Sequence, residues 1–334
     1  MRRLTAKWTR LHAASSPVAR SSHGISAIKN RAFMFGGEAT ARSAISSDVH
    51  RLDPQASLWD ALQGSANQPL PRVGHAQCSA RDKLLVFGGR TDVVMGEGEL
   101  NDLWAFDPAT NSWEELTTHG TPPTARSFHR AASVADKLYI FGGCGHEGRL
   151  ADLHELCLET MRWTAMPSPD VAGRGGATFE ATPDGRSLWM CAGFAGHETN
   201  DLMRFDLATH DWHRAPSDWL RPRSVCASWS MAHPSGPVLL IYGGEVSPSD
   251  HGHEGAGDFA SDLLAIDPAT GAPIQLSVEE GPAPMARGWA AATALSPTEG
   301  VLHGGLSGSD AEPLRLDDTW LLSIGEPMAY NRMV

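Results

Sequence analysis

The sequence is short of cations, of thiols and of long apolar runs, and each shortage removes a class of function. Its 27 Lys and Arg are outnumbered by 39 Asp and Glu, for a formal charge of −12. Nucleic-acid and membrane-surface binders both need a cationic footprint, so neither role is expected, which leaves room only for a local basic pocket. The five cysteines, Cys78, Cys144, Cys157, Cys191 and Cys226, are odd in number, far apart and never spaced as Cys-x-x-Cys. They read as buried thiols and exclude a disulfide framework or a zinc ribbon. No stretch approaches the roughly 18 apolar residues of a membrane span, and the N-terminal MRRLTAKWTRLHAASS lacks the apolar segment of a leader. A cytoplasmic protein is expected. G-x-S-x-G, H-E-x-x-H and a Walker loop are also missing, which gives no support to a hydrolase, a zinc protease or a nucleotide enzyme. GCGHEG at 143–148 fits G-x-G-x-x-G on paper, but a strand pattern follows it where a phosphate site needs a helix.

What is present is a repeat of about fifty residues in a chain of 334. Each unit runs through an arginine turn, a small-residue strand, an apolar strand ending in Gly-Gly, an Asp-apolar strand and a tryptophan. One copy reads PRVGHAQCSARDKLLVFGGR then NDLWAFDPATNSWEEL; the next reads ARSFHRAASVADKLYIFGG then ADLHELCLETMRWTAM. Gly-Gly pairs stand at 36–37, 88–89, 142–143, 243–244 and 304–305, with Gly193-Phe194 in the fourth place, and the turn arginines are Arg20, Arg72, Arg126, Arg174, Arg223 and Arg287. The last unit lacks its final strand, and AKWTRL at 6–11 matches NSWEEL and MRWTAM, so an N-terminal strand should complete it. Four short strands per unit stacked radially bury both faces of each sheet and leave only short edges. The pattern is that of kelch repeats. The expected fold is all-β, a single six-bladed kelch β-propeller over residues 1–334 with its last blade closed by the N-terminal strand.

In an up-and-down meander the turn arginines and the residues after Gly-Gly emerge on one face. The loop from Gly-Gly to the next Asp holds 10, 12, 8, 6 and 12 residues in the other units, but 17 in the fifth, 245–261. A loop that long in a tight repeat is more often functional than accidental. It carries Glu245, Asp250 and His253, two carboxylates and an imidazole of the kind that hold a divalent first-row metal with positions left open. A solvated loop has the same composition. Arginines converging on one mouth suit a sulfate, phosphate or carboxylate: Arg126 and Arg287 are candidates for substrate binding, although repeat arginines also form ion pairs between strands. Arg90 directly follows FGG and is not part of the repeat signature.

Several details go beyond ordinary kelch repeats: RSSHG at Arg20, ARSFH at Arg126, GRGGATF at Arg174, GGEV with GHEGAG at 244–257, and ARGWAA before LHGG. In these the chain resembles the plant specifier proteins of glucosinolate breakdown, the nitrile-specifier, epithiospecifier and thiocyanate-forming proteins. The resemblance implies a ferrous iron, Fe(II), held on the fifth-blade loop by Glu-x3-Asp-x3-His, and a lyase that directs a sulfated thiohydroximate towards nitrile-type products. Glu245 and His253 match the outer ligands, while Ser249 occupies the Asp place and Asp250 follows it. Arg90 matches the arginine expected on the sulfate, and Phe128 and Trp289 match aromatics expected to pack on the substrate side chain. The competing expectation is an interaction scaffold that binds an acidic protein segment on the arginine-ringed face, as a monomer or homodimer.

Overall fold

The computed structural model describes residues 2–64, 67–91, 97–251 and 255–327. The architecture is an all-β propeller. Among the described residues there is no helix, and so none long and apolar enough to cross a membrane. The second repeat is representative: Ala76–Ala80, Lys83–Arg90, Glu99–Asp107 and Ser112–Glu115 pair in sequence as an antiparallel meander. The first and fourth repeats form equal four-stranded sheets, and the third gains the short strand His119–Gly120 parallel to Arg162–Met166. The fifth and sixth quartets belong to one eight-stranded sheet, joined through Arg3–Leu11. That strand runs antiparallel to Pro313–Gly325, with Trp8 opposite Leu322, and parallel to Pro273–Val278.

The position of each strand in its sheet explains its composition. First strands such as AQCSA and RAASV are built of small side chains because they crowd around the axis. Gly24–Ile28, Ala76–Ala80, Arg130–Val134, Thr178–Ala181, Ala227–Met231 and Ala291–Ala294 touch in that order, and the last touches the first. Second strands such as KLLVFGGR are buried on both faces because a sheet lies on either side. The core is accordingly a series of clusters, each drawn from two successive sheets. One packs Phe33 and Phe35 against Val86, Phe106 and Trp113; another packs Met34 and Trp59 against Ala291 and Val301.

The turn arginines bind this arrangement together. Each is 0–1% exposed and donates Nε to the carbonyl two residues back. Each also donates Nη1, at 2.9–3.1 Å, to the carbonyl that opens the Gly-Gly position. Arg72, Arg126, Arg174, Arg223 and Arg287 add an aspartate in, or directly before, the third strand: Asp102, Asp152, Asp201, Asp262 and Asp318. The Gly-Gly requirement is local. At Gly88 and Gly89 φ is +58° and +93°, and a Cβ would lie 2.8 Å from the Leu100 carbonyl and 2.9 Å from that of Val73.

The fourth repeat departs from the sequence expectation by one residue. Ala192 (φ +63°), not Gly193, accepts from Arg174, and Gly193 donates to the Arg223 carbonyl as Gly89 does to that of Arg126. Phe194 therefore stands where the second repeat has Arg90. Ala192 takes the left-handed conformation in spite of its Cβ, so the Gly-Gly place is kept by Ala192-Gly193.

Two residues beyond each turn arginine the backbone closes a ring. Ser22, Gly74, Phe128, Gly176, Val225 and Trp289 each donate N–H to the carbonyl of the residue before, and Ser22 donates to Trp289, at 2.6–3.0 Å throughout. All take φ between +48° and +63°. For Phe128, Val225 and Trp289 that conformation is strained, at a cost on the order of 1–3 kcal/mol each, and it persists because both neighbours in the ring hold it.

Candidate functional site

The left-handed backbone at Phe128 and Trp289 takes their side chains out of the strand ladders and onto the face above the ring. There they line a cavity of about 190 Å3 with Val225, Phe194, Arg149 and Glu245 among the other walls. That volume is below the roughly 300–1,000 Å3 of sites for drug-sized ligands, so the cavity suits a small molecule. Phe259 meets Trp289 edge-on, with ring centroids 6.0 Å apart, and fixes its plane. A wider cavity of about 430 Å3 lies along the axis beyond the ring, but it is a weaker candidate. Several of its hydroxyls are engaged within the fold: Ser133 donates to the Ser79 carbonyl and Ser230 to that of Ala181.

Glu245 follows the fifth Gly-Gly and pairs by both backbone groups with Ser224. It is 6% exposed. Burial, followed by the charge of Glu198, pushes its carboxyl up to about 8, against the pull of backbone N–H groups of Ser249 and Gly257. Burial likewise raises Glu198 to about 7, with the Ser224 hydroxyl acting the other way. In metal-free protein these shifts have a definite sign. An acid whose folded pKa lies above its unfolded value near 4.3 stabilises the fold fully below that value and progressively less up to the folded pKa. The pair should therefore lower stability between about pH 4.5 and 8. Thermal melts of EDTA-treated Glu245→Gln should lose part of this slope, and a slope equal to that of the parent would contradict the shifts.

The other expected site residues are placed unequally. Arg90 is 1% exposed and sits behind Phe128, its guanidinium carbon 5.2 Å from the ring centroid, and does not line the cavity. Its Nε and Nη1 are buried without hydrogen-bond partners, and burial lowers its pKa. Arg126 and Arg287 were expected to meet substrate; the structure corrects this. They are buried, and Asp152 and Asp318 take both of their terminal nitrogens. The face is not ringed by the turn arginines. Asp250 is exposed, and its backbone N–H is held by Asp310 at 3.2 Å; Ser249, at the place of the expected aspartate, faces the cavity. His253 lies outside the described residues. Among the described residues no three His, Cys, Asp or Glu side chains are grouped closely enough to hold a metal ion.

Two residues of the site, and a third beside it, were missed in the sequence. Arg149 is the cation on the cavity wall, its guanidinium 4.7 Å above the ring of Phe194. Phe194 was assigned to the Gly-Gly place, and Glu198 was passed over in a short hairpin. The signal available was the break in the Gly-Gly spelling at GFAGHE.

Residues 22–244 match the KLHDC2/KLHL20/DRC7 Kelch-repeats domain. The chain is 29% identical, over 86% of its length and 89% of the other protein, to N-(sulfonatooxy)prop-2-enimidothioate sulfolyase of Thlaspi arvense. It is 28% identical, over 71% of its length and 66% of the relative, to Kelch domain-containing protein 3 of Homo sapiens. Acyl-CoA-binding domain-containing protein 4 of Arabidopsis thaliana is 30% identical over 59% of the chain, which spans 31% of that protein.

Proposed function

The chain belongs to the kelch-repeat family, and from that premise we propose a six-bladed propeller that acts as a specifier-like lyase on a small sulfated thiohydroximate or other anionic substrate. Six blades are supported by the ring from Ser22 to Trp289, in which each repeat contributes one residue. Closure of the last blade by the N-terminal strand is supported by the seven-residue register of Arg3–Leu11 on Pro313–Gly325. The observation that carries the functional reading is the meeting of Phe128, Trp289 and Glu245, distant in sequence, on one small cavity.

In this reading Phe128 and Trp289 hold the apolar side chain of the substrate and exclude water from it. Arg149 meets the anionic group on the wall, and Arg90, stacked behind Phe128, adds a positive field as charge builds on the departing sulfate. Glu245, with His253 as the resemblance implies, would hold a ferrous ion. The donor chemistry fits: a buried carboxylate beside a second one whose oxygens lack a partner in good hydrogen-bond geometry suits a divalent first-row cation of borderline hardness. Such an ion supplies a Lewis acid with affinity for sulfur. Asp250, exposed and tied by its backbone to Asp310, is less suited to the ligand role.

The interaction reading is favoured by the likeness to Kelch domain-containing protein 3, but an acidic partner would have to bind without the turn arginines. Anaerobic Fe(II) titration decides between the two. The lyase reading predicts one ion per chain, lost in Glu245→Gln, together with nitrile formation from myrosinase-released aglucones. Absence of binding in the unaltered protein would overturn it.

A further inference from the structure

Glu198 is the least explained charged group in the molecule. It is 9% exposed, and neither carboxylate oxygen has a partner within good hydrogen-bond geometry; the Ser224 hydroxyl is the one polar side chain that eases its charge. A carboxylate buried in this way is costly unless a proton or a cation compensates it. Its position follows from the ladder between the fourth and fifth repeats. Phe194 pairs with Glu198 and closes the short hairpin; Thr199 bridges to Arg223, and the next residue, Ser224, bridges to Glu245. Glu198 and Glu245 thus flank Ser224 from two repeats; Ser224 and Glu245 line the cavity, and Glu198 lies beside them.

The fifth-repeat loop leaves a vacancy in donors that this geometry fills. Ser249 stands where an aspartate was expected, and Asp250 is exposed and docked on Asp310. We propose that Glu198 is the second carboxylate of the cation site at Glu245, supplying from the fourth repeat the oxygen donor that the fifth-repeat loop does not. The inference rests on reading Glu245 as a cation ligand. Two carboxylates balance the charge of one divalent ion, and the hard oxygens suit manganese or iron in the ferrous state. The ladder through Arg223 and Ser224 sets their separation without help from the long loop.

The test uses Mn(II) alone as the probe, added to the EDTA-treated full chain, with free Mn(II) read by electron paramagnetic resonance and the metal-linked rise in Tm read in parallel. Expected results are one ion per chain in the parent, a Kd raised about tenfold or more in Glu198→Gln, and a Kd within about twofold in Asp250→Asn. Metal-free Glu198→Gln should melt no lower than the parent, because the change removes a repulsion, so loss of binding is separable from loss of fold. If Glu245→Gln abolishes binding while Glu198→Gln leaves it unchanged, the inference fails and the reading of Glu245 stands; a proton shared by the two carboxyls then accounts for Glu198. If the parent binds no Mn(II), both fall together.

Discussion

Asp318→Ala is expected to cost about 3–5 kcal/mol of stability, the range for removing one partner of a buried ion pair. Arg287 would keep its charge at 1% exposure with only backbone carbonyls to meet it, and the Trp320 indole N–H would lose its acceptor at 2.7 Å. Asp262→Ala provides the contrast. The Arg223–Asp262 pair has the same chemistry, but the Asp262 side chain is 46% exposed against 9% for Asp318, so water can replace it. A loss of about 1 kcal/mol or less is expected there. Urea unfolding of the two variants measures both numbers, and equal losses would show that exposure does not govern the repeat ion pairs.

Acidification should unfold the protein steeply below about pH 6. His23, His75, His129 and His303 are buried at 0–6% exposure. Burial holds all four well below the ordinary histidine range, to about 3 for His75 and His303. The neutral form is the one the fold accepts: the Nδ1 of His303 and the Nε2 of His23 share one hydrogen bond at 3.2 Å, which two protonated rings cannot make. A base with a lowered folded pKa contributes stability above its unfolded value near 6.5 and loses it as pH falls towards the folded one. The limit is about 1.4 kcal/mol per pH unit for each histidine. The three raised glutamates, Glu180, Glu198 and Glu245, oppose this between pH 6.5 and 4.5, but four histidines outnumber them. Circular dichroism at fixed temperature from pH 7 to 4 should show one cooperative loss of sheet, shifted to lower pH in His303→Gln. Retention of the fold at pH 4 would refute the prediction.

Most of the propeller was legible because its repeat is written in residues with one physical task. An arginine that must reach two carbonyls and an aspartate, and a glycine pair hemmed in by carbonyls, leave few substitutes. The fourth repeat was misread by one position because Ala192 meets the same demand as glycine with a different letter. The site was legible through the resemblance to the specifier proteins, which implied Phe128 and Trp289, and through the long fifth loop, which pointed to Glu245; the three do share a cavity. It failed where exposure decided the outcome. Arg126 and Arg287 carry the same side chain as Arg149, yet only Arg149 reaches the wall, because an aspartate two strands away takes each of the others. Glu198 left no trace in composition, since its significance lies in how little compensates its burial.

The backbone ring from Ser22 to Trp289 has an electrostatic consequence. Its hydrogen bonds run head to tail in a single rotational sense, so each can polarise the next. Around a closed circuit, however, the in-plane components of those dipoles sum to almost nothing. A helix end gathers its peptide dipoles into a partial charge that attracts one kind of ion; this circle gathers none. Phe128, Gly176, Val225 and Trp289 thus give the cavity a floor with little preference for charge of either sign. Discrimination between ligands then falls to the few ionised side chains on the rim, and exchanging those should retune the molecule without disturbing its frame.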